Sequence, residues 1–214
     1  MKVEEEVAKI LLEIKAVTLN LQKPYRYASG ILSPIYTDNR LLMSYPEKRK
    51  KIINLMAKKV EDENIPVEII AGTATAGIPH AAWLAEKLNK PMIYVRKSTK
   101  THGKENLIEG KLEEGKKVLL IEDLVSTGGS SLSSVNAIRE YGGKCNHCLA
   151  IFTYQLKKAE ERFRQAKVIL HALTNFQVMI KIAEIEGYLT PKEAEKAKSW
   201  NKDPEGWGKR EGFE

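Results

Sequence analysis

The chain has 214 residues, of which 43% are hydrophobic and 29% are charged, as expected for an ordinary folded domain with a real core. No apolar run approaches the length of a membrane span, and the acidic, amphipathic N-terminus is not a signal peptide, so we expect a cytoplasmic protein with no membrane partner. The net charge of +7 is consistent with a lysine-rich surface, but also with binding of an anionic ligand or a nucleic acid. Only the location of the positive charges can distinguish these possibilities.

The first half of the chain alternates helices with short strands. Apolar residues at 7, 10, 11 and 14 predict an N-terminal amphipathic helix, and turns with short strands follow it. The next elements are a helix from Pro46 to about Val60, a strand over 67–72, a helix over 77–89 and a strand over 91–95. Residues 96–110 then form a long loop, of which 96–104 carry five basic side chains and no acid.

The second half continues the alternation. The patterns predict strands over 116–123, 147–153 and 167–173, and helices over 131–143 and 190–201, with one more helix before the last. For the segment after residue 187, which contains two tryptophans, a docked helix and partial disorder both stay open. Continuous apolar strands between helices indicate a mostly parallel sheet buried on both faces, whose ligand site lies at the carboxyl ends of the strands.

The two cysteines, Cys145 and Cys148, form a lone CxxC around His147. A zinc site needs a second pair of ligands at similar spacing, and none is visible. Residues three apart on a strand face opposite sides, so we expect the two thiols to diverge and to be incidental.

The stretch VLLIEDLVSTGGSS, residues 118–131, places Glu122 and Asp123 before a run of small residues that opens a helix. Free backbone N–H groups and hydroxyls at a helix start bind anions, and Gly128 and Gly129 allow close approach. Neither a Walker A loop nor a GxGxxG fingerprint is present. The acids would repel a bare phosphate, but they suit the hydroxyls of a sugar attached to it. The alternative is an acidic turn before a well-capped helix.

Two other predicted strand ends carry related chemistry. GTATAGIP (72–79) offers a second small-residue cradle, and the basic loop follows the strand that ends at residue 95. The loop is either a solvated segment or a cover for a highly charged ligand. A sugar diol, one phosphate and a second, more charged phosphate group together describe phosphoribosyl pyrophosphate.

Four segments resemble motifs of one family. VLLIEDLVSTGGSS resembles the substrate-binding motif of type I phosphoribosyltransferases. RKSTKTHG (96–103) resembles the catalytic loop of the orotate phosphoribosyltransferases, ASGILSPIYTDNR (28–40) their N-terminal segment, and GTATAGIPHAA (72–82) their pyrophosphate-side loop. The four motifs occur in the family's order and span about residues 24–155.

The resemblance implies one α/β domain over 1–214, with a central, mostly parallel sheet flanked by helices. Residues 1–45 would be a hood that binds the base, 46–175 the core, and 176–214 the C-terminal helices and tail. The implied reaction transfers the 5-phosphoribosyl group from phosphoribosyl pyrophosphate to orotate, giving orotidine 5′-monophosphate and pyrophosphate for pyrimidine biosynthesis. It also implies Mg²⁺ carried by the substrate with no firm protein ligand, and a homodimer whose loop 96–110 is shared between subunits.

Three alternatives stay open at this point: another type I phosphoribosyltransferase, a regulator on the same fold that senses this substrate and binds nucleic acid, or an orphan anion-binding domain. We expect no nucleic-acid partner, because no room precedes residue 24 for a separate DNA-binding module and the basic loop carries catalytic-type residues.

The site residues follow from the resemblance, position by position. The implied catalytic residues are Lys100, His102 and Asp123. The implied ligands of phosphoribosyl pyrophosphate are Arg96, Lys97, Lys100, His102, Glu122, Asp123, Leu124, Val125, Ser126, Thr127, Gly128, Gly129 and Ser130. The pyrophosphate loop would be Thr73, Ala74, Thr75, Ala76 and Gly77, and the orotate-binding residues would be Ser29, Tyr36 and Ser126.

Three positions depart from some members of the family. Certain relatives have lysine where this chain has Ala28 or Ala76, and some have an arginine that contacts the orotate carboxylate where this chain has Tyr154. The cation that meets the orotate carboxylate therefore stays open.

Overall fold

The computed structural model describes residues 2–27, 29–97 and 107–213. Within them the predicted alternation of helices and strands is confirmed. The helices are α1 (Val3–Glu13), α2 (Pro46–Asp62), α3 (Gly77–Leu88), α4 (Gly129–Glu140), α5 (Lys157–Gln165), α6 (Phe176–Ile185), α7 (Pro191–Lys202) and α8 (Pro204–Arg210), with a 3-10 helix over Asn39–Ser44. The strands are β1 (Val17–Leu19), β2 (Tyr25–Arg26), β3 (Leu32–Ser33), β4 (Ile35–Thr37), β5 (Ile69–Thr73), β6 (Met92–Val95), β7 (Ile108–Glu109), β8 (Lys117–Val125), β9 (Lys144–Thr153) and β10 (Ile169–Asn175).

A six-stranded central sheet has the order β10-β9-β8-β5-β6-β7. All neighbouring pairs are parallel except β6 and β7, which are antiparallel. One face packs against α1, α2, α3 and α6, and the other against α4 and α5. Burial on both faces explains why the strands read as continuous apolar runs, and the predicted fold class is confirmed.

Of residues 1–45, predicted to form the hood, α1 packs on the central sheet instead. The remainder, called the hood below, is made of two small antiparallel pairs, β1 with β4 and β2 with β3, and the 3-10 helix. Its strands have only two or three residues, so the pairs need support from other elements. The C-terminal helices provide part of it: Trp200 and Trp207 are both buried, and the indole N–H of Trp200 donates to the carbonyl of Leu32 at 2.9 Å. The tail therefore contains two docked helices, α7 and α8, which agrees with the first of the two alternatives for this segment.

The prediction that the two thiols diverge was wrong. Cys145 and Cys148 are both fully buried in the same apolar cluster, on the α4 and α5 side of the sheet. The register between β8 and β9 shifts by one residue between Lys117 and Leu119, so β9 contains a bulge in this stretch. A bulge adds one residue to one strand and returns side chains three apart to the same face.

Two short elements escaped the sequence analysis. Helix α5 is strongly charged and buries Ala159 and Phe163, so its apolar stripe is too thin to reveal a 3.6-residue period. Strand β7 lies within the predicted loop 96–110. It pairs with the end of β6 and forms the edge of the central sheet. No helix in the described ranges combines the length and apolar character that crossing a membrane requires.

Candidate active site

A cavity of about 420 Å³ lies where the hood meets the carboxyl ends of β5 and β8. All four recognised segments contribute to its wall through described residues, as expected for the switch region of a parallel sheet. The residues lining it are Thr37, Asp38, Arg40, Thr73, Ala74, Thr75, Ala76, Lys97, Glu122, Asp123, Leu124 and Ser130.

The acidic pair lies within strand β8 and not beyond its end, because the strand continues to Val125. On one side β8 pairs with β9 through Val125, whereas its pairing with β5 stops at Ile121. The residues of β8 after Ile121 therefore have no strand partner on the β5 side. Glu122 and Asp123 are the first of these residues, and both line the cavity.

Consecutive strand residues point in opposite directions, so the two acids meet different neighbours. Glu122 is 3% exposed, and its Oε1 accepts a hydrogen bond from the Ser131 hydroxyl of α4 at 2.8 Å. Asp123 lies toward the hood, where the side-chain amide of the buried Asn39 donates to the Asp123 carbonyl at 2.6 Å. This bond fixes the hood against the strand that carries the acids.

Burial raises the pKa of both carboxyls. The pKa of Glu122 rises to about 7, although nearby hydroxyls, Ser131 first, favour its ionised form. The pKa of Asp123 rises to about 6, for the same main reason. Both groups therefore gain from a ligand that brings hydroxyl donors or positive charge into the cavity.

The small residues after β8 form the predicted loop, and α4 begins at Gly129, two residues earlier than the apolar pattern indicated. Gly128 has φ of +76°, and a Cβ there would lie 2.8 Å from the Phe163 ring. Arg162 donates to the Thr127 carbonyl at 3.1 Å. Helix α5 therefore packs against this loop through Arg162 and Phe163. No side chain in the described ranges caps α4, so its first N–H groups stay available for an anion.

The pyrophosphate-side loop joins β5 to α3, and its residues 73–76 line the cavity. The peptide bond between Ala74 and Thr75 is cis. Helix α3 starts so close to β8 that a Cβ on Gly77 would lie 2.5 Å from the Ile121 carbonyl oxygen. Only glycine fits there, which brings the loop beside the acidic pair.

The hood contributes Thr37, Asp38 and Arg40 to the cavity, and the sequence analysis had assigned a role to none of them. Asp38 accepts from Arg40 Nε at 2.6 Å and from its Nη2 at 3.1 Å, so the guanidinium is held at the cavity mouth. The sequence did offer one signal for them: Thr37, Asp38 and Arg40 closely follow Tyr36, the tyrosine predicted to bind the base.

The basic segment is only partly described. Lys97 lines the cavity as predicted, whereas the Arg96 guanidinium lies 3.7 Å from the Glu109 carboxylate of β7 and is not among the lining residues. Lys100 and His102 lie outside the described residues, so their predicted roles stay predictions.

The predicted orotate-binding residues do not line this cavity. Ser29 is exposed in a turn, and the Tyr36 side chain is outward on β4, with its ring 5.5 Å from that of Tyr25. Ser126 lies at the end of β8, in the loop before α4. Of the departing positions, Ala28 lies outside the described residues, and Tyr154 is buried against the hood and does not face the cavity.

Comparison with known proteins gives one consistent answer. A family model described as "Phosphoribosyl transferase domain" matches residues 43–181. An orotate phosphoribosyltransferase of Coxiella burnetii is 56% identical over 94% of this chain and 97% of its own length. One of Listeria monocytogenes is 48% identical over 98% of this chain and 100% of its own.

The chain belongs to the orotate phosphoribosyltransferase family. The crystal structure of orotate phosphoribosyltransferase from Aeropyrum pernix agrees, with a TM-score of 0.73 and 28% identity over 86% of this chain and 99% of that one. The resemblance drawn from the four motifs is therefore confirmed.

Proposed function

We propose that the protein transfers the 5-phosphoribosyl group from phosphoribosyl pyrophosphate to orotate, giving orotidine 5′-monophosphate and pyrophosphate, a step of pyrimidine biosynthesis. The proposal rests on one observation: a single cavity brings together the acid pair, a loop whose course requires glycine and the uncapped start of α4. Membership of the family supports the choice of acceptor. The proposed location is the cytoplasm.

The phosphoribosyl end of the substrate would lie along the last residues of β8. The 5-phosphate would accept hydrogen bonds from the free N–H groups and hydroxyls of Ser126–Ser130, and the ribose diol would donate to Glu122 and Asp123. Glu122 is buried and Asp123 half-buried, and both have raised pKa values, so hydroxyl donors stabilise their ionised forms. An ionised Asp123 would also stabilise positive charge that develops on the ribose ring.

The diphosphate end would lie against residues 73–77, with Lys97 above it. Charge gathers on this group as it leaves, and cations held nearby stabilise that charge. The roles proposed for Arg96, Lys100 and His102 belong to the same step, including protonation of the departing pyrophosphate. No covalent intermediate on the protein is needed, because the enzyme positions the two reactants for direct displacement.

Mg²⁺ fits this arrangement as a companion of the substrate. Three carboxylates, those of Asp38, Glu122 and Asp123, line the cavity, but in the described part of the chain no group of three or more acidic, histidine or cysteine side chains is arranged to hold a metal ion. The diphosphate and the ribose hydroxyls would therefore carry the ion, which neutralises the charge of the leaving group.

A homodimer completes the proposal. Leu41, Met43 and Tyr45 are exposed by 37–43% at the start of α2, an unusual concentration of large apolar side chains. Arg49 links this patch to α3, because it donates to the Met43 carbonyl at 3.0 Å and lies 4.4 Å from the Trp83 ring centre. This surface suits a second copy of the chain, which would bring the partner's loop 96–110 toward the cavity.

Complementation tests the shared loop directly. Lys100→Ala and Asp123→Asn should each be inactive, whereas refolding them together should restore about a quarter of wild-type activity, since half of the dimers are mixed and each has one intact site. No recovery in mixed dimers whose formation is verified by mass would exclude sharing.

An acceptor screen tests the reaction itself. The purified protein, phosphoribosyl pyrophosphate and Mg²⁺ are incubated with orotate, uracil or a purine base, and nucleotide formation is followed by chromatography. We expect orotidine 5′-monophosphate from orotate alone. Turnover of uracil or a purine instead would make the protein another type I phosphoribosyltransferase, and an orotate reaction unaffected by a chelator would remove Mg²⁺ from the proposal.

A further inference from the structure

The hood strand β4, which leads into the cavity wall at Thr37 and Asp38, is held by residues far away in sequence. The Tyr154 hydroxyl donates to Thr37 Oγ1 at 3.1 Å, and the Tyr27 hydroxyl donates to the Ile35 carbonyl at 2.8 Å. The two tyrosine hydroxyls lie 3.0 Å apart. The two adjacent tyrosines, each donating its one hydroxyl proton to β4, therefore form a unit that holds both ends of that strand.

The C-terminal helices secure that unit from the other side. The Trp200 ring meets Tyr154 edge-on at a centroid distance of 5.6 Å and Tyr27 at 6.4 Å, and its indole N–H donates to the Leu32 carbonyl at 2.9 Å. Asn201 donates to the Tyr154 carbonyl at 2.5 Å. All these contacts connect α7 to the hood or to the tyrosine that holds it.

Helix α8 contacts the hood as well. Gly208 lies so close to β3 that a Cβ there would be 3.0 Å from a methyl carbon of Leu32. Tyr154 also connects this assembly to the core, since its backbone N–H donates to the Val125 carbonyl at the end of β8. The tail, the hood and the strand of the acidic pair thus meet at Tyr154.

We propose that Tyr154 and Trp200 are positioning residues for the acceptor, and that the helices α7 and α8 set the position of the hood over the active site. The inference rests on the proposed function, because it assigns the hood to the acceptor side of that reaction. Position 154 holds a buried tyrosine, which would act on the acceptor side through Thr37.

The expected signature is selective. The contacts of Tyr154 and Trp200 with the hood lie on the side of β4 and β3, whereas the phosphate loop and the pyrophosphate-side loop are held by α5 and by glycine packing. Loosening the hood should therefore weaken binding of orotate and leave binding of phosphoribosyl pyrophosphate unchanged.

Tyr154→Phe keeps the ring and removes only the hydroxyl. We expect the KM for orotate to rise roughly three- to tenfold, the factor that corresponds to one buried hydrogen bond, with the KM for phosphoribosyl pyrophosphate unchanged. Trp200→Phe, which removes the donor to Leu32, should give the same pattern. Thr37→Val, which removes the hydroxyl that accepts from Tyr154, should resemble Tyr154→Phe.

Tyr188→Phe is the matched control, because Tyr188 is 52% exposed and lies in the turn between α6 and α7. Urea denaturation of every variant separates loosening of the hood from general instability. Equal rises in both KM values, or a changed urea midpoint with an unchanged KM for orotate, would overturn the inference. Turnover of orotate by the wild-type chain in the same assay tests the proposed function independently.

Discussion

The two halves of the active site are built on different principles. The phosphoribosyl half consists of β8, the start of α4 and the β5–α3 loop, and it is fixed by sheet pairing and by glycines whose neighbours leave no room for a side chain. The hood consists of strands of two or three residues held by side chains from positions 154 and 200. Local backbone geometry therefore defines the proposed sugar-phosphate site, whereas long-range contacts define the proposed acceptor side.

The largest expected effect comes from the acidic pair. Asp123→Asn removes the charge beside the ribose ring without changing the size of the side chain, so kcat should fall by about 10²- to 10³-fold. Steady-state kinetics with saturating substrates measures it. Asn39→Ala, which loses only the bond to the Asp123 carbonyl, should lower kcat less than Asp123→Asn does. A larger loss of kcat in Asn39→Ala would show that the contact between the hood and β8 matters more than the Asp123 charge.

The next effect tests the glycine-enforced loop. Gly128→Ala combines a left-handed φ with a Cβ 2.8 Å from the Phe163 ring, whereas Gly115→Ala has φ of +78° and no atom within 4 Å of its Cβ. We expect both to lose about 1 kcal/mol of unfolding free energy from strain, and Gly128→Ala a further 1–3 kcal/mol from crowding. Only Gly128→Ala should raise the KM for phosphoribosyl pyrophosphate. Equal losses of unfolding free energy in the two variants would show that α5 shifts to accommodate the added methyl group without a measurable cost.

The pH dependence follows from the pKa values of about 7 for Glu122 and about 6 for Asp123. Both folded-state values lie above the ordinary ones, so these groups stabilise the fold at low pH and that contribution is lost as pH rises through the folded pKa values. Ribose hydroxyls need both carboxylates ionised, so kcat/KM for phosphoribosyl pyrophosphate should fall by about tenfold per pH unit between pH 7 and 6, and by up to about 100-fold per unit below pH 6, where both groups are protonated. A flat profile between pH 5 and 8 would contradict this assignment.

The smallest effect is expected in the hood. Arg40→Ala removes a cation from the cavity mouth whose ion pair with Asp38 is largely exposed, so the unfolding free energy should change by less than about 1 kcal/mol. Binding of the anionic substrates should weaken by about three- to tenfold, because a positive charge leaves the site. Lys58→Ala, which breaks the exposed pair with Asp62 on α2, is the control and should leave both KM values unchanged.

The same contrast explains what the sequence could predict. The acidic pair and the loop 126–130 are contiguous in the chain, so their juxtaposition on the structure follows from one motif at one strand end. Thr37 and Arg40 reach the cavity only through the packing of the hood. The roles of Tyr154 and Trp200 depend on Thr37 and Leu32, which lie 117 and 168 residues away in the chain. Helix α5 and the β9 bulge were missed because a thin apolar stripe and a single inserted residue leave no periodic signal.

A crystal structure with phosphoribosyl pyrophosphate and Mg²⁺ tests the division between the two halves most directly. It should show the ribose hydroxyls on Glu122 and Asp123, the 5-phosphate at the start of α4, and the diphosphate against residues 73–77. A 5-phosphate held elsewhere, with the acidic pair making no contact to the ribose, would contradict the account.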